Sequence, residues 1–327
     1  MRRRDFIRAL AGSAVAWPLV SGAQPAIPVI GYLGGETSER FATRLNAFRQ
    51  GLSASGFDEG RNVAIEYRWA NGQIDRLPAL AADLVQRKVS VIATPGSGVA
   101  ALAVKAATTS IPIIFETGLD PVAVGLVASL NRPEGNVTGI TSLNVAVAPK
   151  GLELLHELVP KVKSFAVLVN PANSVNTNIN LKSLEEPARA RGLQLHVLNA
   201  STEGDFDNAF AKLVQLQADG LIVAPDIIFN SRAQQLATLT TKHSVPAVHT
   251  VREFAAAGGL MSYGGDIKET HKQAGIYTGR VLKGEKPADL PVQQVTKVEL
   301  VINLKTAKAL GLNVPNTLVG RADEVIE

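Results

Sequence analysis

The sequence contains no cysteine in 327 residues. That excludes disulfides, thiolate zinc sites, iron–sulfur clusters and a cysteine nucleophile. Aromatic residues make up only 5% of the chain, and no cluster of Lys and Arg interleaved with aromatics marks a nucleic-acid surface. No Gly-Lys dipeptide occurs, which removes the Walker A phosphate loop. His156-Glu157 opens an H-E-x-x-H pattern, but Pro160 stands at the second histidine position. Leu260-Met261-Ser262-Tyr263-Gly264 approaches a nucleophile elbow with Leu260 where the first glycine is needed. No catalytic residue, metal ligand or cofactor is nominated.

Charge of one sign is scarce as well. The isoelectric point is near 9.3 and the formal net charge +4. Arg2, Arg3, Arg4 and Arg8 against Asp5 carry three of those four charges. A basic partner-seeking surface is therefore absent from the rest of the chain, and nucleic acid is not an expected partner.

What is present begins with MRRRDFIRALAGSAVAWPLVSGAQ. A basic start, a short apolar run from Ala9 to Val20 and the small residues Ser21-Gly22-Ala23 before Gln24 form the three parts of a cleavable export signal. The apolar run has about a dozen residues where a spanning helix needs about 20. The paired Arg3 and Arg4 before Phe6-Ile7 resemble a twin-arginine signal; an Arg-rich ordinary secretory signal is the alternative. The expectation is removal of residues 1–23 and a periplasmic protein without a stable membrane anchor. With no cysteine after the small residues, a lipoprotein anchor is excluded.

The remaining 304 residues fit two domains. Short β-branched runs alternate with helical patterns. PVIGYLGG, VAIEYRWA, VSVIATPGSG, IPIIFETGLDP and VTGITSL read as strands, with helices between, the first from about Ser38 to Ser55. Around Asn144–Pro149 the rhythm restarts with SFAVLVNP, LQLHVLNA, DGLIVAPD, VPAVHTV and GLMSYGG. A long amphipathic helix (about Ile267–Lys283), a strand-like VQQVTKVELVIN and a short helix before Gly311 follow. Strands separated by single helices imply crossover connections and a parallel sheet covered on both faces. The halves echo each other: VIATPGSG…SIPIIFET matches LIVAPDII…SVPAVHTV, with Pro112 and Pro246 at strand starts, where the missing N–H costs no ladder bond. The expected fold is α/β, two similar lobes whose strand ends face one cleft.

Ligands of open parallel sheets lie outside the C-terminal strand ends. The polar residues there are Gly34, Gly35 and Glu36, Gly96 and Ser97, and Glu116, Thr117 and Asp120. In the second half they are Asn170, Asn173 and Ser174, Asp226, Thr250 and Arg252, and Tyr263. TPGSG offers backbone N–H groups and the Ser97 hydroxyl to an anion, unless Ser97 serves only as a helix cap. Asp226 pairs with a ligand ammonium or caps the next helix. Asp120-Pro121 reads as a cap followed by Pro at the first helical position. Glu36 caps or solvates the first helix, Asn170 and Asn173 suit a turn, Arg252 reads as a solvated or lobe-bridging charge, and Tyr263 stacks on a ligand or lines the hinge. Trp69 reads as core or rim packing.

ATPGSGVAALAVKAATTSIPIIFETGLDPVAVGLVASLNRPEGNVTGIT, the NP…NS turn at Asn170–Ser174, APD at 224–226 and the tail from GLMSYGGDIKETHKQAGIYTGRV onward resemble the ABC-transporter substrate-binding proteins of the tryptophan/tyrosine type. The resemblance implies a type I periplasmic binding protein: two Rossmann-like lobes joined by a hinge of three crossover strands, with the ligand between them. It implies residues 24–144 and about 266–292 for one lobe, and 145–265 and about 293–327 for the other. It places ligand contacts at Glu36, Gly96, Ser97, Thr117, Asn173, Ser174 and Asp226, and gives a membrane permease and its ATPase as partners. The expected function is capture of a small anionic or zwitterionic solute, an amino acid among them, for an importer. The alternative is a sensor that reports occupancy to a membrane receptor.

Overall fold

Runs such as Ile30, Tyr32 and Leu33, or Ile113, Ile114 and Phe115, are fully buried in this computed structural model, which describes residues 27–142 and 144–327. The expected export signal lies outside the described residues. Apolar on both faces, these runs can only be interior strands of a covered sheet. In chain order the first half gives β1 (Val29–Gly34), α1 (Ala42–Ala54), β2 (Ala64–Trp69), α2 (Leu77–Gln86), β3 (Val91–Thr94), α3 (Gly98–Ala107), β4 (Ile113–Thr117) and β5 (Val137–Thr141). The second gives α4 (Asn144–Leu158), β6 (Ser164–Val169), α5 (Ser174–Ala190), β7 (Gln194–Asn199), α6 (Phe206–Gln215), β8 (Leu221–Val223), α7 (Ile227–Ser231), α8 (Ala233–Lys242), β9 (Ala247–His249), α9 (Arg252–Ala256) and β10 (Met261–Gly265). The chain closes with α10 (Ile267–Leu282), β11 (Gln293–Gln294), β12 (Val298–Asn303), α11 (Leu304–Ala309), α12 (Asn316–Val319) and β13 (Glu324–Ile326).

Among the described residues the strands form two sheets, ordered β11-β5-β4-β3-β1-β2 and β13-β12-β10-β9-β8-β6-β7. Every pair is parallel except β10 with β12. Each lobe thus repeats the order second–first–third–fourth–fifth, the doubly wound arrangement that reverses between its first and third strands. The echo between VIATPGSG and LIVAPDII is a repeat of position in the fold: both follow the third strand of a lobe.

The strand-like VQQVTKVELVIN is split. Gln293–Gln294 pair with β5 in the first sheet, and β12 pairs with β10 in the second. The chain therefore passes between lobes here, as it does from β5 to α4 and from β10 to α10. At the junction the Asn144 Oδ1 accepts a hydrogen bond from Gly265 N at 3.0 Å, tying two of these passages together.

The long helix α10 returns to the first lobe and crosses α1. A Cβ built on Gly51 would collide with the carbonyl oxygen of Lys272, and one on Gly275 with that of Phe48. The two glycines let the helix backbones touch. The first helix starts at Ala42 rather than Ser38, because Thr37–Phe41 form turns instead. Asp120 Oδ1 does accept from the backbone N–H groups of Val122 and Ala123, at 2.9 and 3.2 Å. What it caps is a turn: Gly125 takes φ +72° and no helix follows.

Candidate functional site

The reversal points of the two sheets face each other. Between them lies a cavity of about 60 Å³, floored by the segments after β3, β4 and β8 and by the start of α5. In the first lobe, Gly96 holds φ +83°, a left-handed conformation that favours glycine, with the rings of Phe41 and His271 just over 3 Å from where a Cβ would stand. This kink presents Ser97, whose Oγ accepts from Ala100 N at 3.2 Å and caps α3. Capping leaves the other first-turn N–H groups directed toward the cavity, a setting that favours anions. Thr117 Oγ1 accepts from Leu119 N at 3.1 Å and shapes the neighbouring loop.

In the second lobe, Asp226 is a hub. Its Oδ1 accepts from Ile228 N and from Asn170 Nδ2, both at 3.1 Å. Its Oδ2 accepts from Asn173 Nδ2 at 2.8 Å and Asn176 Nδ2 at 3.3 Å. Four donors fill the capacity of a carboxylate. Asn176 also donates to the Pro225 carbonyl at 2.6 Å, and Asn173 caps α5 by accepting from Asn176 N at 3.4 Å.

A scan of known families matches residues 39–326 to the ABC transporter substrate binding protein family. A tyrosine-binding protein of Clostridioides difficile (strain R20291) is 31% identical over 268 residues, which is 81% of this chain and 75% of that protein. The chain belongs to the ABC transporter substrate-binding proteins. Among solved structures, this family member superposes on an ABC domain from Streptococcus pneumonia in complex with L-Trp with a TM-score of 0.80 at 24% identity, covering 91% of this chain and 99% of that one. The ligand-free, open structure of a Clostridium difficile substrate-binding protein gives 0.62 at 25% identity, covering 92% and 99%.

The structure of this substrate-binding protein brings Gly96, Ser97, Thr117, Asn173 and Asp226 to the cavity wall. Two expected contacts lie elsewhere. Glu36 is fully buried, yet its carboxylate accepts from Arg232 Nη1 of the opposite lobe at 2.7 Å. Ser174, the first residue of α5, is exposed outside the wall. Arg252 is an exposed charge paired with Glu324 in its own lobe, and Tyr263 packs against the core of the second lobe. Trp69 packs among Tyr32, Phe41 and Tyr67.

Two wall residues come from helices that strand-end reasoning passes over, Arg44 on α1 and His271 on α10; Glu116, near the end of β4, is among the polar strand-end residues but not among the expected ligand contacts. His271 did leave a trace in the sequence. It continues the buried stripe Ile267, His271, Ala274, Thr278, Val281, where an apolar residue is expected. Its Nδ1 lies 2.8 Å from the Ile267 carbonyl, which can only accept, so the proton sits on Nδ1 and Nε2 carries a lone pair. Among the described residues that buried Nε2 has no partner. Burial, with the Arg44 charge, pushes the imidazole down to about 3. Burial pushes the Glu116 carboxyl up to about 7 against the opposing pull of the Thr270 hydroxyl and Arg44. Among the described residues, no group of three or more His, Asp or Glu is placed to hold a metal, and no helix is long and apolar enough to cross a membrane.

Proposed function

We propose that this chain is the periplasmic capture component of an importer, exported by its twin-arginine-like signal, and that it takes an amino acid into the cleft between its lobes. One observation carries the reading: two sheet reversal points, each beside a helix start, converge on a single cavity lined by Ser97, Asn173 and Asp226 as well as Arg44 and Glu116. Opposite charges within one small cavity suit a zwitterion. The name of the C. difficile relative and the L-Trp in the S. pneumonia structure make tyrosine and tryptophan the first ligands to try.

Capture works by closure of the lobes about the three passages of chain between them. The higher score against the L-Trp complex than against the open structure supports a closed arrangement here, as do the polar contacts across the cleft. A ligand bound more tightly by the closed form shifts the population toward it, and a permease with its ATPase reads that form. The binding step involves no bond chemistry.

A thermal-shift screen of the chain against the twenty amino acids and small organic acids tests this reading, since a ligand of the native state raises the melting temperature. A rise with one or a few amino acids is expected. No rise with any of them overturns the amino-acid assignment.

A further inference from the structure

Three buried carboxylates lie at or beside the cleft, and two are already engaged. Glu36 holds Arg232 across the lobes. Asp226 has four donors on its two oxygens. Glu116 differs. Strand alternation sends Ile114 and Glu116 to the face of the first sheet covered by α1 and α10, while Phe115 joins the opposite core. The carboxylate reaches the cavity wall at 4% exposure, with the Thr270 hydroxyl and the Gly96 N–H beside it and His271 Nδ1 3.9 Å away, but with no cation in direct contact. That Nδ1 proton is directed to the Ile267 carbonyl, so the imidazole offers Glu116 no cation. Arg44 supplies a charge from α1, but its Nη2 donates to the Asn230 carbonyl at 3.1 Å and its guanidinium lies 5.0 Å over the Phe41 ring. The wall of this one cavity thus holds both a carboxylate and a neutral imidazole whose Nε2 has no partner among the described residues.

Resting on the amino-acid reading above, we infer that Glu116 is the acceptor for the ammonium group of the captured ligand, with His271 Nε2 as a second acceptor, while Asp226 only positions the asparagines. An ammonium placed there gives Glu116 the direct ion-pair partner that Arg44, acting from a distance and bonded to the Asn230 carbonyl, does not provide.

This assignment makes capture pH-dependent with a definite sign. The unliganded carboxyl titrates at about 7, and an ammonium binds its ionised form. Affinity is full above that value and falls as pH drops below it. The groups facing Glu116 do not share the transition: His271 titrates at about 3, Arg44 remains charged, and burial raises the Tyr32 phenol above its ordinary value. From pH 8 to 5.5 the loss is tenfold or more, on the order of a factor of ten per pH unit once below 7.

The test is calorimetric titration of the full chain with L-tyrosine and L-tryptophan, and with 3-(4-hydroxyphenyl)propionate and indole-3-propionate, which lack only the ammonium. If the thermal screen selects another amino acid, that one and its des-amino acid replace them. The wild-type chain is expected to prefer the amino acid at least tenfold, Glu116→Gln to lose that preference, and Asp226→Asn to weaken both ligands while keeping it. Retention of the preference by Glu116→Gln, or its loss only in Asp226→Asn, overturns the assignment. The wild-type pH series decides independently should Glu116→Gln not fold: flat affinity between pH 8 and 5.5 overturns it too. Binding of no amino acid at all removes the functional reading first, and this assignment with it.

Discussion

Arg232 and Glu36, 196 residues apart, form an ion pair of 2.7 Å that joins the two lobes while nine-tenths or more hidden from solvent. The pair belongs to a chain of alternating charges. Arg232 Nε lies 3.2 Å from Glu203, and Glu203 is 2.7 Å from Arg40 of the first lobe. Gly35, next to Glu36, leaves room for Ile227 of the opposite lobe: a Cβ there would come within 2.6 Å of its Cδ1. Both contacts exist only while the lobes are together.

Removing Arg232 strands a buried carboxylate, which costs about 3–5 kcal/mol. The open form escapes that cost by hydrating Glu36. Arg232→Ala is therefore expected to enlarge the radius of gyration of the unliganded chain in small-angle scattering and to weaken amino-acid affinity at least about tenfold. An unchanged radius and unchanged affinity would mean that the pair holds nothing shut.

Asp226→Ala takes away the acceptor of three asparagine amides and of the Ile228 N–H. Unsatisfied buried donors cost about 1–3 kcal/mol each before relaxation. The expected loss of unfolding stability is about 2–4 kcal/mol by denaturant titration, together with weaker ligand binding. Loss of binding at unchanged stability would instead make Asp226 a plain ligand contact.

Where α1 meets α10, a methyl group has nowhere to go. Gly275→Ala or Gly51→Ala forces a side chain into the facing backbone. Each is expected to cost about 2–3 kcal/mol or more, since overpacking displaces whole helices. The check is the denaturation midpoint; a change under about 0.5 kcal/mol, the scale of an ordinary surface substitution, would mean that the helices separate freely.

Acid should destabilise the unliganded chain. Burial pushes His249 and His271 each down to about 3, so the unfolded chain takes up two protons near 6.5 that the folded one refuses. Glu116 acts in the opposite direction: folded, it binds a proton from about 7 downward, which the unfolded carboxyl does only near 4.5. Two against one leaves a net loss of about 1.4 kcal/mol per pH unit around pH 5.5. Denaturant titrations at pH 6 and 5 measure it; stability that is level or rises on acidification contradicts the buried, neutral histidines.

The cleft was legible in the sequence because it is built on strand ends, and hydrophobic runs ending in TPGS, ETG, NPAN and APD announce themselves locally. The roles were less so. Ser97 and Asp226 are both caps, as their positions after a strand suggest, but the ring of asparagines around Asp226 depends on Asn170, Asn173 and Asn176 converging from some fifty residues away. Glu36 looks like a solvent-facing residue at a helix start until Arg232 arrives from the other lobe. Arg44 sits in the first turn of α1, where nothing local distinguishes it from a surface arginine. Ser174 lies outside the cavity wall for a local reason: Asn173 turns inward to cap α5, and the next residue is exposed.

The most direct test is a crystal structure grown with the amino acid that most raises the melting temperature. Density for that molecule is expected between Gly96–Ser97 of the first lobe and Pro225–Ile227 of the second, its ammonium beside Glu116. An empty cleft at saturating ligand, or the molecule bound on another face, would contradict the account.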